Sequence, residues 1–244
     1  MRILLLVAFF SFACRQASNK VPSISNAANL KGSLLTHKVD LKKTILKFYY
    51  QDENGNNFHN HKTLKNHLKG RGKILTFAMN GGMYKKDSSP QGLYIENGKV
   101  IQEMSTQQEG YGNFYLQPNG IFYISDDNKA GIVATSSLKN INTLKYATQS
   151  GPMLVTNGKM HPAFKKGSNN LHIRNAVGLL PNGNLLFVMS KEKINFYDLA
   201  SYFILNDCKN ALYLDGFVSR TYLPSNNWIQ EDGNFGVIIG EIKG

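Results

Sequence analysis

Six Asn-Gly dipeptides punctuate this chain, at Asn54-Gly55, Asn80-Gly81, Asn97-Gly98, Asn119-Gly120, Asn157-Gly158 and Asn182-Gly183. Both residue types tolerate positive φ, the backbone state that a two-residue hairpin turn demands. Five of the six lie between strand-like runs, as Asn97-Gly98 lies between Leu93-Tyr94-Ile95 and Val100-Ile101. Turns spaced in this way are expected of antiparallel strands. Two stretches break the pattern. Residues 60–69, closed by Gly70, place Leu64 and Leu68 on one helical face. After Asn195, the residues Phe196, Leu199, Ala200, Phe203 and Ile204 form an apolar helical stripe. Asn195 is placed to cap that helix, and Asp198 falls in its first turn, where a carboxylate opposes the helix dipole. The expectation is an α+β fold, in which a few helices pack on a curved, mostly antiparallel or mixed sheet in a single domain.

The N-terminus reads differently. An apolar run from Ile3 to Phe12 follows Arg2 and ends at Ser11-Phe12-Ala13-Cys14, as an export signal does. The Ala13-Cys14 junction resembles a bacterial lipoprotein box, with Ser11 where a Leu is usual. The expected organisation is a signal over 1–13, a lipid-anchored flexible tether over 14–40 and a folded domain over 41–244. Cys14 then attaches the chain to a membrane and places it in the bacterial cell envelope. Elsewhere no apolar run reaches the roughly 18 residues of a membrane-spanning helix. The second cysteine, Cys208, has no partner once Cys14 is acylated and reads as a small buried hydrophobe. The net charge of +12 attracts polyanions, but the lysines are scattered and no arginine-rich arm is present. With an export signal in front, nucleic acid is not the expected partner.

Three segments run from an apolar strand into polar, glycine-rich backbone, or the reverse: Ile74–Met79 into Asn80-Gly81-Gly82, Ala211–Leu214 into Asp215-Gly216, and Gln149-Ser150-Gly151-Pro152 into Met153–Val155. Buried strands hold their ends rigidly, and glycine lets a ligand approach the backbone. Each segment alone also reads as an ordinary strand-to-turn exit. Arg174, just before the apolar run Ala176–Leu180, is placed either to grip a phosphate bidentately or to lie at a strand edge on the surface. His59 and His61 sit in a polar stretch and read as solvated. Motifs for zinc proteases, nucleotide-binding loops and nucleophile elbows are absent.

Taken in order, these segments resemble the phosphodiester glycosidase family. The likeness runs through residues 77–84, Pro90–Tyr94, Asn113–Gly120, Ala147–Val155, His161-Pro162, Ile173–Gly178, Asn195-Phe196 and Leu212–Gly216. It spans the chain from about residue 45 to the C-terminus. The resemblance implies hydrolysis of a sugar-1-phosphodiester, of the N-acetylglucosamine-1-phosphodiester kind, in an envelope or environmental glycan. A phosphate is already a good leaving group, so the resemblance implies a single carboxylate, Asp215, as base or nucleophile, with Arg174 holding the phosphate. His161 reads either as a proton carrier or, with Pro162 after it, as part of a structural turn. Asn80, Gly81, Gly82, Gln91, Gln149, Ser150, Asn175, Gly216 and Ser219 are the implied substrate-binding residues. A divalent cation held through oxygen by Asp215 and Asn80 stays open, as does the absence of any cofactor. Phe217 and Arg220 depart from the family pattern, and they favour the alternative of a non-catalytic glycan- or phosphoglycan-binding lipoprotein.

Overall fold

Strand β12 (Leu185–Ser190) is buried along its whole length because both of its faces are covered. Leu185, Phe187 and Met189 enter a central core, while Leu186 and Val188 enter a second cluster behind the sheet. The computed structural model describes residues 30–215 and 218–244. The expected signal and Cys14 lie outside the described residues, as do Gly216 and Phe217.

Three antiparallel sheets share the central core. The first is six-stranded, in the order β1 (Leu34–Val39), β12, β11 (Asn175–Leu179), β13 (Asn210–Asp215), β9 (Met153–Thr156) and β10 (Lys159–Met160). The second runs β15 (Trp228–Ile229), β14 (Thr221–Leu223), β3 (Ile74–Asn80), β16 (Ile238–Lys243) and β2 (Ile45–Tyr49). The third runs β5 (Lys99–Gln102), β4 (Tyr94–Glu96), β8 (Leu144–Ser150), β6 (Gly120–Ser125) and β7 (Ala130–Ala134). Phe77 of β3, Phe122 of β6 and Phe187 of β12 bring one aromatic ring from each sheet into contact, with centroids 5.1 Å and 6.0 Å from Phe187. Helix α1 (His61–Lys69) covers the outer face of the second sheet with Leu64 and Leu68. Helix α2 (Phe196–Leu205) covers the first sheet with Leu199, Ala200 and Phe203.

Both helices begin where their caps lie. The Asn60 side chain accepts from Thr63 N–H, and that of Asn195 accepts from Asp198 N–H, so each satisfies a backbone donor left open by the first turn. The fold is α+β, mostly antiparallel and a single domain, but it differs from the sequence expectation in three details. Residues 34–39, placed in the tether, form β1, because Leu34, Leu35 and Val39 are buried against β12. His61 is fully buried under Phe235 instead of solvated. Asn97-Gly98 and Asn157-Gly158 are hairpin turns with positive φ at both residues, but Asn80-Gly81 and Asn119-Gly120 are not. At Gly81 and Gly120 the space is the requirement. A Cβ would come within 2.5 Å of Ile239 at the first and 2.4 Å of the Met153 sulfur at the second.

Candidate active site

One strand from each sheet ends at the same place: β3 at Asn80, β8 at Ser150 and β13 at Asp215. Ser150 Oγ donates to Leu214 O at 2.6 Å, joining the third sheet to the first. Gly82, just past β3, sits so close to β8 that a Cβ there would lie 2.4 Å from Thr148 Oγ1. Asn80, Ser150 and Asp215 are all buried, Asp215 at 5% exposure.

Two asparagines hold Asp215, Asn175 at its backbone and Asn80 at its carboxylate. Asp215 N–H donates to Asn175 Oδ1 at 2.8 Å, which leaves the Asn175 amide nitrogen to donate to Asn80 O and Oδ1, both at 2.9 Å. Arg220 N–H also donates to Asn80 Oδ1 at 2.9 Å, so the Asn80 Nδ2 is the group turned to Asp215 Oδ2, at 3.1 Å. Backbone groups, whose donor or acceptor character is fixed, determine both amide orientations. Ser219 Oγ closes the loop by donating to Asp215 O at 2.8 Å. Asp215, Asn80 and Asn175 are thus hydrogen-bonded to one another directly, and Ser219 joins them through Asp215.

The other residues expected at the site are held differently. Gln149 is 1% exposed and spends its amide inside the protein. Its Oε1 accepts from Leu93 N–H and Ser105 N–H at 2.9 Å each, and its Nε2 donates to Ser105 O at 2.8 Å, pinning segment 103–107 to β8. Gln91, half-buried, donates to Tyr115 Oη at 3.1 Å. Gly81 N–H donates to Val237 O at 2.8 Å, so that amide serves the sheet.

Arg174 is neither at a surface edge nor presented as an open fork. It is fully buried, with Nε donating to Ile194 O at 2.8 Å and Nη2 to Asn170 O and Oδ1 at 2.9 Å each. Nη1 donates to Tyr213 Oη at 3.3 Å, and the guanidinium lies 3.7 Å over the Phe196 ring. Burial pushes the Tyr213 phenol well above its ordinary range, with Arg174 pulling the other way, so the oxygen meets Arg174 as a neutral acceptor. Phe196 stacks on Phe164 at 4.9 Å, and Phe164 on His161 at 4.7 Å. His161 has both nitrogens engaged, Nε2 with Gln117 O at 2.7 Å and Nδ1 with Ala163 N–H at 3.2 Å. Arg174 and His161 therefore end one stacked column, which braces loop 163–170. A cleft of about 190 Å³ opens beside it, lined in part by Asn113, Lys165, Asn170 and Tyr197.

Tyr84 is a site neighbour that sequence reasoning did not single out. Its hydroxyl donates to Asn234 O at 2.5 Å, and burial, then the Asp215 charge, push its phenol above the ordinary range. Its position in Gly82-Met83-Tyr84, directly after β3, was the available signal. A cation shared by Asp215 and Asn80 does not fit this geometry. Asn80 turns an N–H to the carboxylate, and reversing the amide would break its bonds to Arg220 and Asn175. Among the described residues no group of three His, Cys, Asp or Glu side chains is placed to hold a metal.

Known proteins share both sequence and fold with this chain. The family model described as phosphodiester glycosidase matches residues 74–236. The uncharacterized protein YigE of Escherichia coli (strain K12) is 38% identical over 181 residues, covering 73% of this chain and 69% of that protein. The fold is similar to that of the zebrafish N-acetylglucosamine-1-phosphodiester alpha-N-acetylglucosaminidase catalytic domain, auto-inhibited by its pro-peptide. That match has a TM-score of 0.55 at 15% identity and covers 85% of this chain and 83% of the other. A putative exported protein of Burkholderia pseudomallei K96243 gives a TM-score of 0.55 at 9% identity, with 85% and 73% covered. With its family match spanning β3, β8 and β13, whose ends form the site, this chain belongs to the phosphodiester glycosidase family.

Proposed function

We propose that this protein hydrolyses a sugar-1-phosphodiester, of the N-acetylglucosamine-1-phosphodiester kind, with Asp215 acting at the anomeric carbon. The supporting observation is the closed hydrogen-bond ring that fixes Asp215 where three sheets end. A carboxylate held this way is oriented before substrate arrives, which removes part of the cost of reaching the transition state. The bond between the anomeric carbon and the phosphate oxygen breaks, and the phosphate leaves as a monoester anion. Water supplies the new hydroxyl, and its proton passes to Asp215, directly or after a glycosyl-enzyme ester forms there. One carboxylate is enough because the leaving group needs no proton, unlike the alkoxide of an ordinary glycoside. In this reading Asn80 and Ser219 orient Asp215, and Gln91 and Tyr84 face the sugar or its phosphate. Arg174 and His161 act through the column beneath loop 163–170. The run Ile3–Phe12 and Cys14 support a place in the cell envelope, with a glycan there as the source of substrate.

The test is release of free N-acetylglucosamine from an N-acetylglucosamine-1-phosphodiester by wild-type protein and by Asp215→Asn, each with and without chelator. The expected outcome is turnover that falls at least 10²-fold in Asp215→Asn with binding retained, and no effect of chelator. Turnover that survives Asp215→Asn would remove that residue from the chemistry. Binding without release across a panel of sugar-1-phosphodiesters would make the protein a phosphoglycan-binding lipoprotein.

A further inference from the structure

At the opposite end of the second sheet lies a basic cleft. Strand β16 fixes the geometry: Ile238 faces both Asn80 and Tyr49, while Ile242 faces Ile45 and Lys243 faces Ile74. At about 3.3 Å per residue, the six steps of β3 separate Ile74 from Asn80 by about 20 Å. Where β2 and β8 begin, the seam between the second and third sheets opens into a cleft of about 480 Å³. Its floor includes Leu46 and Tyr146 of the core, and its walls carry Lys42, Lys43, Lys47 and Lys145. The wall is built rather than loose. Thr44 N–H and Oγ1 both donate to Asp40 O at 3.0 Å, and Asn128 Nδ2 donates to Leu41 O at 2.5 Å, tying the turn to the third sheet.

The charges in the cleft are of one sign. Burial, then Lys73 and Lys145, pull the Lys47 ammonium below its ordinary range. Asp40 reaches Lys43 at 3.7 Å, and Asp127 is paired with Lys129. Like charges gathered around a partly desolvated seam cost free energy, and an anion placed among them recovers it. Two exposed isoleucines, Ile45 at 49% and Ile74 at 65%, lie at the same end.

We infer that the cleft bounded by Lys42, Lys43, Lys47 and Lys145 is a binding site for a phosphate-bearing anion, separate from the Asp215 site. The lysines supply point charges with rotatable donors, which suits a phosphate group whose neighbours vary. Its concavity suits a discrete phosphate group along a chain or a single headgroup.

Tripolyphosphate titrated calorimetrically into the full chain is the probe. The expected result is one saturable site that weakens at least tenfold in Lys47→Gln/Lys145→Gln. The charge-matched pair Lys62→Gln/Lys69→Gln, exposed on α1, should change affinity less than twofold. Lys47→Arg/Lys145→Arg should stay within threefold of wild type, which separates charge from folding. Asp215→Asn should leave the affinity unchanged. Co-sedimentation with phosphatidylglycerol vesicles that the Gln pair abolishes assigns the phosphate to a lipid headgroup. Tripolyphosphate binding without vesicle binding assigns it to a soluble phosphate-bearing chain, and either result upholds the site. A titration that does not saturate, or equal weakening by both Gln pairs, overturns it in favour of diffuse surface charge.

Discussion

Asn80 stands in an Asn-Gly pair, yet the residue that gives it meaning is Asn175, 95 positions away, whose amide holds it against Asp215. Nothing local to either asparagine announces this bond. What the sequence does show is the strand that delivers Asn80 and the strand that delivers Asp215. The candidate positions were therefore legible, and the hydrogen bonds among them were not. Gln149 shows the converse: a polar residue in a site motif whose amide turns out to serve Leu93 and Ser105. Gly82 can be tested at this scale. An alanine Cβ would lie 2.4 Å from Thr148 Oγ1, while other atoms stand at 3.8 Å, so one oxygen accounts for the conflict. Thr148 is β-branched and 2% exposed, so it has little room to rotate away. Gly82→Ala should cost about 1–3 kcal/mol in urea unfolding. Thr148→Ala in the same chain should recover at least half of that loss. A double variant no better than the sum of its singles would place the strain elsewhere.

Helices α1 and α2 were readable from their apolar spacing, with which the capping Asn195 of α2 agrees, and agreement between levels marks a segment that folds locally as it folds globally. Strand β1 was not, since its burial depends on a partner strand some 150 residues later. The Arg174 column was hidden for a related reason. The guanidinium bonds Asn170 O and Ile194 O, so it ties loop 163–170 to the entry of α2, a link only tertiary structure makes. Lysine cannot replace it there, having no planar face for Phe196 and no fork to span two carbonyls. Arg174→Lys should cost about 2–4 kcal/mol, from the lost ring contact and buried acceptors left unpaired. Asn195→Ala, which removes the cap of the same helix and a single 3.3 Å bond from Asn195 Nδ2 to Ser168 O, should cost about 1–2 kcal/mol. Urea midpoints rank the two. If Arg174→Lys proves the milder change, the column does not brace the loop, and a direct role for Arg174 at the phosphate regains its place.

Across the whole molecule, the site is joined to a buried histidine on the second sheet's outer face. His61 Nδ1 donates to Gln230 O at 2.9 Å, Phe235 N–H donates to His59 O at 2.9 Å, and Lys65 pairs with Glu231. These bonds hold the segment whose Asp232 grips Arg220 and whose Asn234 accepts from Tyr84, and Arg220 N–H in turn holds Asn80. Because Gln230 O can only accept, His61 carries its proton on Nδ1, and its Nε2 is buried without a partner among the described residues. Burial dominates its titration and pulls it down to about 4, and its place in the first turn of α1 also disfavours a positive charge. The sign follows directly. The folded pKa lies below the ordinary 6.5, so between those values the unfolded chain binds more protons than the folded one. The contribution is complete above pH 6.5 and is lost as pH falls toward 4, by roughly 3 kcal/mol over the full window. His61→Phe keeps a ring against Phe235 but gives up the bond to Gln230, so it should begin about 1 kcal/mol less stable at pH 7.5. Its urea midpoint should then fall less steeply than that of wild type, and the two curves should cross on the way to pH 4. Carboxylates such as Glu241, held low against burial by His37 and Thr76, add the same acid-side loss to both proteins and do not affect the comparison. Parallel curves would mean that His61 is not the group through which acid loosens this end of the site.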